Sequence, residues 1–250
     1  MQKRRKTPLK KIEFEANSCS ADSRLKILHG LPFFKNLSHE AINDINTIFR
    51  DHHYSTGETI YFSGNKSTQL CVVAEGSIKL VKHSIEGQDV LIDILTQGEF
   101  FGTLETFGES VYQETAEAQT NSCILKINAE QFRIILQNYP LTALNVIDII
   151  SERLKLAYEK MKQLSVQNVE KRIAFTLYNL ANKVGEQKDV GLLIQFPLSR
   201  SDLAGMTGTT SETASRIMSH FQKQGIIKTG RQWVSITDHK KLRYLADTDI

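Results

Sequence analysis

The spacing of apolar residues changes character several times along the chain. From Leu25 to Phe34 (LKILHGLPFF) apolar residues cluster in a way that predicts short helices, and Ser38 is placed to cap a helix over Ala41–Arg50. From His52 the period becomes two. Short β-favouring runs, Thr59–Phe62, Leu70–Ala74, Ser77–His83 and Val90–Leu95, lie among Gly57, Gly64, Gly76, Gly87 and Gly98. Cys123–Ile127 reads as a closing strand, and Ala129–Gln137 turns helical. Strands this short at this spacing predict an antiparallel sandwich or jelly roll. Pro140 then opens a long helix to about Ser165. Along it Ile147, Ile150, Leu154, Ala157, Met161 and Leu164 alternate steps of three and four, with Glu152, Arg153, Lys155, Glu159, Lys160 and Lys162 between them. Such a seam either lies on its own domain or pairs with a second copy of itself. Its strict repeat favours the pair, hence a homodimer.

Beyond it, Asn168–Val184 predicts a helix, Gly185–Gly191 a polar loop and Leu192–Phe196 a short strand. Leu198–Ile227 (LSRSDLAGMTGTTSETASRIMSHFQKQGII) reads as two short helices around a tight turn. Ser199 and Asp202 are spaced as a reciprocal capping pair, and Gly208 is suited to a turn at positive φ. Thr209 and Thr210 are alternative caps for the second helix. Its apolar positions, Ala214, Ile217, Met218 and Phe221, face one way; Ser211, Glu212, Ser215, Arg216 and Ser219 face the other. This is a helix-turn-helix pattern, whose second helix enters the DNA major groove. Arg can grip guanine O6 and N7, and Glu can accept from cytosine N4. Glu212 can equally be a capping carboxylate, and Glu212 with Arg216 a solvated surface pair. Ile226-Ile227, Gly230 and Trp233–Ile236 predict a small hairpin, the wing of a winged helix, with Lys228 and Arg231 on it.

Composition sharpens this division. At 250 residues there is room for two domains with connections. From Arg24 to Pro140 stand 9 Lys/Arg against 14 Asp/Glu, a net of −5; from Val166 to Ile250 stand 12 against 8, a net of +4. Only the C-terminal half is therefore expected to meet a polyanion. No apolar run approaches the length of a membrane span, and the basic start MQKRRKTPLKK has no apolar segment behind it. Cys19, Cys71 and Cys123 are few and scattered, which argues against a disulfide framework and for a reducing, cytoplasmic setting.

Jelly roll, long helix and a winged helix carrying SETASR, in this order, resemble the CRP/FNR family of bacterial transcription regulators. GSIKLVKHSIEGQDVLIDILTQGEFFG resembles the family's barrel hairpin, and VEKRIAFTLYNLA its first DNA-domain helix. The resemblance begins at about residue 25. It implies an α+β chain: residues 1–23 a basic mobile tail, 24–139 an effector-sensing antiparallel β-roll, 140–165 the dimerisation helix and 166–250 a winged helix-turn-helix. The partners it implies are double-stranded DNA, a second copy and RNA polymerase. Glu212, Ser215 and Arg216 match the spacing in the family's FNR-like branch, which implies inverted-repeat half-sites of the TTGA type. Ser199, Arg200, Thr209, Thr210, Ser211, Lys228 and Arg231 complete the expected DNA-contacting set.

The effector is less defined. The family's cyclic-AMP branch uses a Gly-Glu-Leu turn and a following Arg-Ser pair; here the turn reads Gly102-Thr103-Leu104-Glu105, and Tyr112-Gln113-Glu114-Thr115 stands where Arg-Ser is expected. Between His83 and Cys123 there is no Lys or Arg to pair with a cyclic phosphate, so cyclic AMP bound in the family manner is not expected. Gly102, Thr103, Leu104, Glu105, Tyr112 and Gln113 remain the candidate pocket for an unidentified small molecule. Three scattered cysteines do not make an iron–sulfur set. His29, His53 or His83 leaves a haem-type gas or redox sensor as the alternative, with the cofactor unknown and no metal site assigned. His52 and His53 point to opposite faces of a strand, against joint ligation. A jelly-roll metalloenzyme would need a His-x-His, which the chain lacks, so no catalytic residue is assigned; a C-terminal domain that binds protein is a further reading.

Overall fold

The computed structural model describes residues 8–9, 21–83, 89–103 and 110–246. The basic-tail expectation for residues 1–23 lies mostly outside them, as do Leu104 and Glu105 of the candidate pocket. The chain forms two compact units, with the boundary between Tyr158 and Glu159.

In the first unit, α1 (Ala21–Gly30) and a 3₁₀ turn (Pro32–Phe34) precede α2 (His39–Ile48). Ser38 caps α2 by accepting the Ala41 amide at 3.2 Å. The helix stops short of the expected Arg50 because Arg50 already belongs to β1 (Arg50–Tyr54). Then come β2 (Thr59–Tyr61), β3 (Gln69–Glu75), β4 (Ser77–His83), β5 (Asp89–Thr96), β6 (Phe100–Gly102), β7 (Thr115–Ala118) and β8 (Ser122–Asn128). They form two four-stranded antiparallel sheets, ordered β1-β8-β3-β6 and β2-β7-β4-β5.

Alternation along β3 and β8 builds two cores from one sheet. Cys71, Val73, Phe101 and Ile124 face the second sheet and pack with Tyr61, Ile78, Leu95, Tyr112 and Ala116 inside the barrel. Leu70, Val72, Leu125 and Ile127 face outward, where Phe33, Phe34, Ile42, Ile45 and Phe132 cover them. β6 and β7 were not legible as strands. Each is short and pairs through its backbone with neighbours that carry the stronger pattern.

Helix α3 (Ala129–Asn138) is capped by Asn128, and α4 (Pro140–Val166) follows at once. The start of α4 buries Thr142, Asn145 and Val146, and the Asn145 amide donates to the Phe33 carbonyl at 3.2 Å. Cys123, buried in β8, is disulfide-bonded, whereas Cys71 is a free buried thiol. The few, scattered cysteines argue against a disulfide framework, and the bond at Cys123 is a single bridge rather than a framework.

In the second unit, α5 (Val169–Val184) is capped by Asn168. The four-stranded sheet is ordered β11-β12-β10-β9, from β9 (Gly185–Lys188), β10 (Gly191–Ile194), β11 (Ile227–Gly230) and β12 (Trp233–Ile236). The expected polar loop thus contains a strand. GEQK has little β propensity of its own and is held as an edge by pairing with β10. Helices α6 (Arg200–Thr207) and α7 (Ser211–Lys223) lie between β10 and β11, and α8 (His239–Leu245) closes the unit. The architecture is α+β, with an antiparallel β-roll, a long helix and a winged helix-turn-helix.

Candidate nucleic-acid interface

The turn between α6 and α7 is fixed at both ends by local chemistry. Ser199 and Asp202 form the reciprocal capping box: the Asp202 amide donates to Ser199 Oγ at 3.0 Å, and the Ser199 amide donates to Asp202 Oδ2 at 2.9 Å. Gly208 ends α6 at φ 58, the left-handed region. A Cβ on Gly208 would stand 3.1 Å from Leu164 Cδ2. Arg172 of α5 ties the same turn to the end of α4. Its guanidinium donates to the carbonyls of Gly208 (3.3 Å), Gln167 (3.1 Å) and Leu164 (3.4 Å). That positioning residue was missed, because a lysine- and arginine-bearing helix start reads equally well as a solvated face.

Ala214, Met218 and Phe221 are fully buried beneath α7, while Ile217 is half-buried. On the opposite side Ser211, Glu212 and Arg216 are exposed, and Ser215 is half-buried. The cap of α7 is Thr210, whose Oγ1 accepts the Thr213 amide at 3.2 Å; Thr209 instead donates its amide to the Ala204 carbonyl. This places Thr213, not Glu212, at the third helical position, so the capping-box reading of Glu212 does not describe the fold. No side-chain hydrogen bond or ion pair joins Glu212 to Arg216, or either of them to another described residue. Both are free to meet a ligand.

The remaining expected contacts divide. Lys228 on β11 and Arg231 in the β11–β12 turn are exposed. Ser199 spends its hydroxyl on the cap. Arg200 donates to Thr229 Oγ1 at 2.8 Å, and burial lowers its pKa. These two shape the motif from within and are only half-exposed.

The seam residues of α4 are all exposed on the single chain: Ile147, Ile150, Leu154, Ala157, Met161 and Leu164. The early part of α4 buries a different face, the one bearing Thr142, Asn145 and Val146. Together they form an apolar row exposed along one side of the helix.

In the barrel, Gly102 (φ 86), Thr103 and Tyr112 converge on Gln69 of β3. The Thr103 amide donates to the Gln69 carbonyl at 3.1 Å, and the Gln69 amide donates to the Tyr112 hydroxyl at 3.2 Å. Tyr112 stacks on Tyr61 with centroids 3.7 Å apart, and Tyr61 donates to Glu114 Oε1 at 3.0 Å. Burial, then the Glu114 carboxylate, pushes the Tyr61 phenol up; burial likewise raises Tyr112. Gln113 does not join them: it is exposed, and its amide donates to the Val111 carbonyl at 3.2 Å. Lys126, buried on β8, pairs in register with Cys71 and donates to the Tyr54 hydroxyl at 2.7 Å; it lies three residues beyond Cys123, outside the stretch whose lack of Lys and Arg is noted above. The alternation of CILKI, with Ile124 inward, was the available signal.

The histidines stand apart. His29 and His39 bond to each other at 3.0 Å, His53 lies 3.8 Å from Asp51, and His83 is exposed at the end of β4. No helix among the described residues is long and apolar enough to cross a membrane.

Comparison with known proteins follows the same division. The family model for a cyclic nucleotide-binding domain matches residues 51–139, and that for a Crp-like helix-turn-helix domain matches residues 171–245. The chain is 26% identical over 219 residues to the cyclic AMP receptor protein of Thermus thermophilus, covering 88% of this chain and 98% of that one. It is 27% identical over 217 residues to electron transport regulator A of Shewanella oneidensis, covering 86% of each. The solved structure of FixK2 from Bradyrhizobium japonicum shares the fold with a TM-score of 0.72 at 20% identity, over 81% of this chain and 100% of that one. Barrel and helix-turn-helix match separately and in the order the fold shows them; the chain belongs to the CRP/FNR family of transcription regulators.

Proposed function

We propose that the protein acts as a cytoplasmic homodimer that reads an inverted repeat of TTGA-type half-sites, under control of an effector held in the β-roll. Residues 24–139 sense, 140–165 pair the two copies and 166–250 bind DNA. The observation that carries this reading is the outer face of α7. Glu212 and Arg216 stand one turn apart, exposed and without partners, on a helix whose first turn Thr210 closes. Arg216 takes the guanine of each half-site, Glu212 accepts from cytosine N4 or orients Arg216, and Ser215 lies between them. Ser211 and the first amides of α7 meet phosphate, where the helix dipole favours an anion. Lys228 and Arg231 add phosphate contacts from the wing. The exposed seam of α4 supports pairing about a twofold axis, which sets two α7 helices about 34 Å apart, in successive major grooves. RNA polymerase is the further partner that family membership brings.

The test is fluorescence anisotropy with a labelled inverted-repeat duplex and a scrambled duplex of equal composition, over a salt series. The repeat should bind at least about a thousandfold more tightly. On both duplexes, log affinity should fall linearly with log salt. Equal affinity for the two duplexes contradicts sequence-specific reading.

A further inference from the structure

Lys126 is 8% exposed and lies on the barrel-facing side of β8, opposite Cys71 of β3. Its ammonium donates to the Tyr54 hydroxyl at 2.7 Å and stands 5.2 Å from the centroid of the same ring. An ammonium carries three donors; among the described residues this is its one hydrogen bond, and no carboxylate lies within ion-pair distance. Cys71, its register partner, belongs to the barrel core together with Phe101 and Tyr112, so Lys126 lies on the side of β8 that faces this interior. Cys71 offers no counter-charge: burial pushes its thiol up to about 12, which keeps it protonated. A buried cation with unspent donors, and with no counter-ion among the described residues, is costly to keep unless something supplies the charge. The opposite strand on the other side gives none either, since Arg50 of β1 pairs in register with Lys126.

We propose that the barrel interior takes a small oxyanion, a free carboxylate or phosphate group, anchored by the Lys126 ammonium and flanked by the hydroxyls of Tyr54 and Tyr112. This rests on the reading of the β-roll as the effector domain and names the chemistry of what it takes. The Tyr61–Tyr112 stack and the apolar residues Val73, Phe101 and Ile124 belong to one buried core inside the barrel, the core that also holds Cys71.

The full-length protein, with Lys126→Met and Tyr54→Phe variants, is followed by thermal unfolding with sodium succinate or inorganic phosphate, against sodium chloride at equal ionic strength. At least one of the two oxyanions should raise the wild-type melting temperature saturably. The gain should vanish in Lys126→Met and shrink in Tyr54→Phe. Without added oxyanion Lys126→Met should melt no lower than wild type, because an uncompensated buried charge has been removed. A wild type indifferent to both oxyanions, or an undiminished gain in Lys126→Met, overturns the proposal. A gain from succinate alone assigns a carboxylate ligand, and from phosphate alone a phosphate ligand. Anisotropy on the inverted-repeat duplex, run on the same samples, separates the two claims: loss of sequence preference refutes DNA reading, whereas loss of the oxyanion gain refutes only the ligand class.

Discussion

The hydroxyl oxygen of Thr210 accepts the amide of Thr213 at 3.2 Å, and this bond closes the first turn of α7 without Glu212. Thr210→Ala should therefore lower folding stability by about 0.5–2 kcal/mol. Glu212→Ala should leave stability within about 0.5 kcal/mol of wild type while weakening DNA binding. Urea unfolding read beside anisotropy checks the pair. A Glu212→Ala protein that loses as much stability as Thr210→Ala would return Glu212 to a structural role.

Gly208 holds the left-handed turn beside Leu164. Gly208→Val combines a β-branched residue at positive φ with a close approach to the Leu164 side chain, so the helix-turn-helix should unfold more easily, by about 1–3 kcal/mol. Hydrogen exchange of the α6 and α7 amides should rise against that of the barrel, if the strain stays local.

Pairing of two chains through α4 is tested by replacing Leu154 and Met161 together with Glu, which sets like charges across the seam. Light scattering should then show monomer, and affinity for the inverted repeat should fall to that of a half-site. A dimer of undiminished strength would place the interface elsewhere.

In the wing, Lys228→Ala and Arg231→Ala should weaken binding to every sequence alike. Each should flatten the salt dependence by about one counter-ion in the logarithmic slope. A change confined to the inverted repeat would make either residue a base reader.

Cyclic AMP is not expected to bind through the Gly102–Thr103 turn and the Tyr112–Gln113 segment, because Gln113 points away to the Val111 carbonyl and Tyr112 is committed to Gln69. Calorimetric titration should show no micromolar binding. Binding of that strength, abolished by Gln113→Ala, would contradict it.

Much of this was legible in sequence where a local rule decides it. Ser199 with Asp202, Gly208 and the period of Ala214, Met218 and Phe221 specify the helix-turn-helix within a few residues of each other. Period-two runs marked β3, β4, β5 and β8 for the same reason. Strands β6, β7 and β9 were hidden because their pairing, not their own composition, makes them strands. The barrel interior was least legible: Lys126 meets Tyr54 across 72 residues, and Tyr112 meets Gln69 across 43. No spacing rule connects them. Arg172 reaches Gly208 across 36 residues, again beyond any local pattern.

The role of Arg216 is tested most directly by selecting binding sites from a randomised duplex pool with wild type and Arg216→Ala at one fixed salt concentration. Wild type should enrich an inverted repeat with one strongly preferred guanine in each half-site. The variant should relax that preference, by about 1–3 kcal/mol per half-site, while keeping the repeat spacing. If both proteins enrich the same guanine to the same ratio, Arg216 does not read it, and α7 is not the sequence-reading element described here.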